Sequence, residues 1–266
     1  MVKCFFKQIV NPRRKLYRFL SYLFNYKERG YIPRKIDAIE NILENLSKTY
    51  SEINFLQIGS NDGISGDPLN FFINNYNWKG VLVEPIPFLF EQLQFNYLHK
   101  KDKLTFLNVA VGAEDKEEMI IYVFNEKFRG KIPDWYYQLG SFYKDVIYHH
   151  DIPNVDDYIV EKKVPSQTIQ TIIDTCYSGK NIELLHIDTE GYDFEVLKNV
   201  NFSKLLPKVI LVEYIHLAIT TRKQMIHLLK NNGYTVYRCN QDYIGVQRSV
   251  HNNLMTGTSI SPYWEF

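Results

Sequence analysis

The sequence predicts an α/β fold whose central sheet is mostly parallel and covered by helices on both faces. Three observations carry this expectation. Apolar runs such as INFLQI (53–58), IELLHID (182–188) and KVILVEY (208–214) are continuous rather than alternating, as in strands buried on both sides. Stretches of helical periodicity separate them, the pattern of a chain winding strand to helix to strand. The first run ends in a turn bounded by Gly59 and Gly63, and Glu84 ends the next. That spacing suits a nucleotide lying across the carboxyl edge of a sheet.

Taken in order, residues 1–35 hold ten Lys and Arg against one acid, Glu28, a net charge of +9. Residues 36–266 carry 21 basic and 29 acidic residues, a net of −8. The chain therefore divides into a basic N-terminal helical arm (1–50), a main domain (51–247) and a C-terminal tail (248–266). In the arm, Leu16, Phe19, Leu20, Leu23 and Phe24 recur at helical spacing between Pro12 and Gly30. A second helix over 35–49 carries Ile36, Ile39, Ile42, Leu43 and Leu46 on one side. Strands are expected near 53–58, 80–84, 104–109, 117–124, 182–188, 208–214, 234–238 and 242–247. Helices are expected over 68–76, 86–98, 168–177, 193–199 and 220–232. Residues 125–165 break this rhythm with an aromatic, turn-rich stretch too long for an ordinary connection, and read as a lid or substrate segment.

The turn QIGSNDG lacks the central glycine of the dinucleotide fingerprint, having Asn61 there, followed by the anionic Asp62. A pyrophosphate needs bare backbone and positive helix-terminal N–H groups, and Asp62 would repel it. The same carboxylate suits a cofactor bearing an ammonium and a sulfonium, so S-adenosylmethionine is favoured over NAD. Glu84 is then placed to bond both ribose hydroxyls. The competing reading is a tight turn plus an acid that caps the helix starting at Pro85. No G-x-x-x-x-G-K-[ST] occurs, which excludes a P-loop.

These residues carry a resemblance. QIGSNDG (57–63), GVLVEPIPFLFEQL (80–93), NVAVG (108–112), LLHIDTEGYDFEVLK (184–198) and VILVEY (209–214) together resemble the FkbM-type methyltransferase family. The resemblance implies a class I, Rossmann-like fold with a seven-stranded, mostly parallel sheet, and an S-adenosylmethionine-dependent O-methyltransferase. It implies that Gly59, Asn61, Asp62 and Gly63 wrap the methionine end of the cofactor, and that Asn108, Ala110 and Val111 contact adenine. Loop-capping and core roles are the alternatives for those last three. Family members usually carry Asp where this chain has Gln57. GDPL (66–69) and PDWYYQLGSF (133–142) resemble a subgroup found among cell-surface-glycan genes, which points to a sugar hydroxyl as acceptor.

Methyl transfer requires an acceptor oxygen aligned with the methyl group and relieved of its proton. Asp188 ends the strand IELLHID and Glu190 follows it, while Glu213 ends the next with His216 three residues on, so these four groups can converge at the carboxyl edge. One reading makes His216 or Asp188 a general base. Another has Asp188 and Glu213 hold a divalent metal such as Mg²⁺, a hard oxygen site that would acidify the hydroxyl. Helix caps and ion pairs are the bland alternatives. His149, His150 and Asp151 are adjacent, so their side chains diverge and do not read as a metal cluster. Trp135, Tyr136 and Tyr137 read either as a stacking floor for a sugar or as the packing of a lid.

The rival function is a non-catalytic cofactor- or glycan-binding module on the same fold. The acidic body offers no basic face for nucleic acid. Three dispersed cysteines (Cys4, Cys176, Cys239), no apolar run of membrane-spanning length and no secretory pattern point to a cytoplasmic chain. The basic arm, with its Leu/Phe stripe, either lies on an anionic membrane or packs on the domain or on a second copy as a homo-oligomer.

Overall fold

The structure, a computed structural model, describes residues 38–148 and 154–263. The expected helix at Leu16–Phe24, Ile36, and the trio His149, His150 and Asp151 lie outside the described residues.

The first element is α1 (Ala38–Thr49), with Ile39, Ile42, Leu43 and Leu46 on one buried stripe. Glu40 in its first turn and Lys48 in its last complement the helix dipole. Then follow β1 (Ile53–Ile58), α2 (Asn70–Asn75), β2 (Trp78–Val83), α3 (Pro87–Asn96) and β3 (Leu104–Leu107). After β4 (Ala110–Val111) and β5 (Lys116–Phe124) come β6 (Gly140–Ser141), α4 (Lys144–Tyr148) and β7 (Ile159–Gln167). The remainder is α5 (Ile169–Tyr177), β8 (Leu184–Ile187), α6 (Asp193–Lys198), β9 (Val209–Glu213), α7 (Ile219–Asn231), β10 (Tyr234–Cys239), β11 (Asp242–Gln247) and α8 (His251–Leu254).

Seven strands form the main sheet in the order β10-β11-β9-β8-β1-β2-β3, and only β11 runs against its neighbours. Side chains alternate between two cores, as a period of two requires. Phe55, Leu82, Leu184 and Leu211 join α1, α2 and α8 on one face. Leu56, Val81, Leu185 and Ile210 join α5, α6 and α7 on the other. From β1 the chain builds outward through β2 and β3, then returns to β8 on the opposite side of β1. The loops after β1 and β8 therefore part from each other and leave a crevice at the carboxyl edge.

A second sheet, in the order β4-β7-β5-β6, corrects the reading of 125–165 as a lid throughout. Its strand β7 begins at Ile159 and pairs antiparallel with β5 along nearly its whole length. Glu118 and Lys163 pair across the two strands at 2.7 Å. Pro165 sits where β5 shifts register between Lys116 and Met119, so its missing N–H interrupts a ladder already broken. The rest of the stretch has a small core of its own, in which Phe124, Tyr136, Tyr137, Leu139 and Ile147 pack together.

The boundary drawn at residue 50 is also corrected. Ile42, Leu43 and Leu46 of α1 are fully buried against the main sheet, so α1 belongs to the body. The tail is bound to it: Asn45 Nδ2 donates to the carbonyls of Leu254 and Thr256, both at 2.9 Å, and Asn41 Nδ2 to Thr258 Oγ1 at 3.1 Å. Farther on, Tyr263 N donates to Val236 O at 2.7 Å, laying the tail along β10. Among the described residues no helix is long and apolar enough to cross a membrane.

Candidate functional site at the carboxyl edge

The turn after β1 is built by contacts that only particular residues allow. Gly59 has φ +79°, and a Cβ there would run into the Asp188 carbonyl, so the ends of β1 and β8 meet backbone to backbone. Gly63, at φ +72°, leaves the room that the Tyr97 ring and Leu93 occupy. Asn61 lies between them at φ +50°, a left-handed conformation that Asn tolerates. Ser60 closes the turn on β2: its N–H donates to Val83 O at 2.9 Å, and its Oγ accepts from Val83 N at 3.1 Å.

Glu84, just past β2, is 4% exposed. One carboxylate oxygen accepts from Asn61 N and the other from Ile86 N, each at 2.8 Å. Burial raises its pKa to about 7, with the two backbone bonds opposing the rise. It thus both fastens the turn and caps the start of α3, and each oxygen keeps a lone pair for a ligand.

A cavity opens above these loops. Of the residues singled out in the sequence, Gly59, Asn61, Glu84, Ala110, Val111, Asp188 and Glu190 line it. Asp62, Gly63, Asn108, Glu213 and His216 do not. Asp62 turns its carboxylate into its own loop, accepting from Ile64 N at 2.9 Å and Ser65 N at 2.7 Å. Asn108 donates its amide to the carbonyls of Glu84 and Pro85, bracing the loop after β2, and Val109 faces the cavity instead.

Gln57, noted in the sequence only as the replacement of the family's Asp, lines the cavity floor together with Asp67 and His186, to which the sequence assigned no role. Asp67 accepts from Gln57 Nε2 at 2.9 Å and from Leu69 N at 2.8 Å. Burial pushes the Asp67 carboxyl up to about 6 and holds the His186 imidazole down at about 4, so the ring is neutral at pH 7. The second sheet adds Ser141 and Phe142 to the wall, and Ser141 Oγ donates to Glu190 O at 2.7 Å. GDPL was the one signal in the sequence that could have drawn attention to Asp67.

Beyond Asp188 lies a concentration of acids. Asp193, fully buried, accepts from Thr189 N at 2.8 Å and Gly191 N at 3.0 Å and so holds the loop after β8. Burial raises its pKa to about 6. Asp188 is raised well above the usual carboxylate range by burial first, then by Glu190 and Asp193. Glu213 is raised by burial, then by Asp188 and Glu190, and its Oε2 is buried without a hydrogen-bond partner. His216 Nε2 lies 3.0 Å from Glu190 Oε2 and 3.9 Å from Glu213 Oε2. Ligand atoms of Glu190, Glu213 and His216 fall within 4.8 Å of one another, as do those of Asp188, Asp193 and Glu213. Glu190 itself sits at φ +51°, a strained conformation for its residue type.

The aromatic residues of the insertion divide. Tyr136 and Tyr137 are 9% and 1% exposed in the small core, so they form no open floor. Trp135 stacks on Tyr136 and stays half exposed. The aromatic that reaches the cavity is Phe142, edge-on to Tyr192 at 4.7 Å.

Residues 57–236 match the family model described as the Methyltransferase FkbM domain. No curated protein matches the chain. Among solved structures, it is similar to a methyltransferase FkbM from Methylobacillus flagellatus KT, with a TM-score of 0.48 and 13% identity over 73% of this chain and 44% of that one. It thus spans less than half the length of that protein. A precorrin-6y C5,15-methyltransferase from Geobacter metallireducens GS-15 gives a TM-score of 0.38 and 10% identity over 78% of this chain and 87% of the other. A methyltransferase from Pyrococcus furiosus gives 0.35 and 11%, over 89% and 98%.

Proposed function

The chain belongs to the FkbM methyltransferase family, and from that premise we propose that it transfers a methyl group from S-adenosylmethionine to a hydroxyl, that of a sugar in a cell-surface glycan or its precursor. The observation that carries the reading is Glu84: a buried carboxylate at the end of β2 with a free lone pair on each oxygen, facing a cavity at the switch point of the sheet. Bound there, S-adenosylmethionine would supply an electrophilic methyl group on its sulfonium. Glu84 would accept from the ribose hydroxyls, and Gly59 and Asn61 would let backbone approach the ligand. Ala110 and Val111 would flank the adenine with apolar surface.

Asp188 borders the cavity, where its carboxylate would be placed to take the proton of the acceptor hydroxyl. Glu190, which also lines the cavity, pairs with His216 Nε2 at 3.0 Å. A second reading rests on Glu213 Oε2, buried without a hydrogen bond: Asp188 and Glu213 would hold a divalent cation, which would make the acceptor hydroxyl more acidic. Chelation separates the two, since activity unchanged after EDTA leaves the base and removes the metal.

Calorimetry with S-adenosylmethionine tests the cofactor. The wild-type chain should bind it, and Glu84→Ala should weaken binding by about 1.5–3 kcal/mol, the range for a hydrogen bond to a charged group. Transfer of labelled methyl to hydroxyl-bearing saccharides then tests the acceptor. Binding without transfer to any acceptor would favour a binding module.

A further inference from the structure

Two buried polar atoms in the cavity wall, Gln57 Oε1 and His186 Nδ1, have no hydrogen-bond partner. Their residues are 1% and 3% exposed. They are also neighbours, register partners on β1 and β8, strands whose other residues are apolar apart from Asn54 near the start of β1. Burying one such atom unpaired costs about 1–3 kcal/mol. Two adjacent ones, both facing a cavity, describe half of a polar contact whose other half is a ligand. The carboxylate of Asp67 stands next to them, bonded to Gln57 Nε2 at 2.9 Å and approached by Tyr97 Oη at 3.4 Å.

Strand order says which part of a ligand would reach this floor. Glu84 lies at the end of β2, with Ala110 and Val111 past β3 on one side. On the other side of β2 come β1 and β8, which carry Gln57 and His186. A nucleoside whose ribose sits at Glu84 and whose base lies over Val111 would extend its 5′ substituent over that floor. We propose that Asp67, Gln57 and His186 form the subsite for the α-amino-acid end of the cofactor, with Asp67 as counter-charge to its ammonium; this rests on the S-adenosylmethionine reading above.

The chemistry of the three groups fits a zwitterion. An ammonium presents three donors, which Gln57 Oε1 and the Asp67 carboxylate can accept. The α-carboxylate needs a donor, and a neutral imidazole provides one when its proton is on Nδ1. Asp62 does not line the cavity, and its carboxylate faces its own loop, accepting from Ile64 N, Ser65 N and Ser65 Oγ. The anionic function that the turn offers in sequence is thus supplied from Asp67, five residues farther on.

Three ligands measured by calorimetry test this: S-adenosylmethionine, S-adenosylhomocysteine and 5′-methylthioadenosine, which has the same nucleoside and no amino-acid end. Asp67→Asn should weaken the first two alike, by roughly 10- to 100-fold, as loss of a charge-assisted hydrogen bond does, and leave the third unchanged. Gln57→Met, which keeps the volume and removes Oε1, should give the same pattern with a smaller loss, and decides the matter if the Asp67 variant does not fold. Equal weakening of all three ligands would overturn the proposal, because that marks a disturbed loop. Unchanged affinity for all three, or a loss confined to the sulfonium ligand, would overturn it too. A wild-type chain that binds none of them would overturn the cofactor reading itself.

Discussion

Glu84 holds two backbone N–H groups while remaining nearly inaccessible to water, and the conflict gives it a pH signature. Its pKa rises from 4.5 to about 7 on folding. The folded chain therefore keeps a proton that the unfolded chain releases. The stability this contributes is fully present below pH 4.5 and is lost as pH rises through 7. Thermal melts of the cofactor-free protein should show Glu84→Gln losing less stability than wild type between pH 5 and pH 8, by up to about 3 kcal/mol; parallel curves would remove Glu84 as the source. At Asp188 the expected split is different. Asp188→Asn should keep cofactor affinity while lowering the methyl-transfer rate by about 10²-fold or more, read by single-turnover kinetics. Sequence alone placed Glu84 and Asp188 correctly at strand ends because strand ends follow from apolar periodicity. It had no such handle on Asp62 and Asp67. Which of two nearby acids faces a cavity depends on the φ/ψ path of a turn, and residues 61, 63 and 66 all take positive φ.

At the scale of elements, the main sheet was legible because continuous apolar runs have few other destinations. Strand β7 was hidden: IVEKKVPSQ has three consecutive charges and a proline, and its pairing depends on β5, forty residues earlier in the chain. The contacts that fix the two layers give two predictions. Gly59→Ala forces a methyl group into the Asp188 carbonyl at positive φ, so it should separate the ends of β1 and β8. Chemical denaturation should show a loss of more than about 2 kcal/mol, with cofactor binding impaired in parallel. In the small core of the insertion, Tyr137 Oη is buried without a partner. Tyr137→Phe should therefore leave stability unchanged or raise it, whereas Tyr137→Ala should cost about 3–5 kcal/mol. A destabilised Phe variant would show that the hydroxyl has a partner after all.

For the whole molecule, the opposition between a basic arm (+9) and an acidic body (−8) is a property of composition, read without any fold. Residues 1–35, which carry the charge, lie outside the described residues, and we propose on their sequence that they hold the protein on anionic membranes, each basic residue near the surface contributing about 1 kcal/mol. The full chain should sediment with anionic vesicles at low salt and be released at high salt, while a chain beginning at Tyr31 should not bind; equal partitioning would leave the arm a packing or oligomerisation element. The far end of the chain has its own consequence. Helix α1 is closed by residues 254–258, more than two hundred positions later, through Asn41, Asn45 and the buried Leu254. During synthesis the segment that covers α1 is made more than two hundred residues after it, so one edge of the domain stays open until residues 254–258 have left the ribosome. Contacts of such separation also form late in a free chain. Until that segment arrives, the face of α1 that Leu254 covers is open to proteases and chaperones.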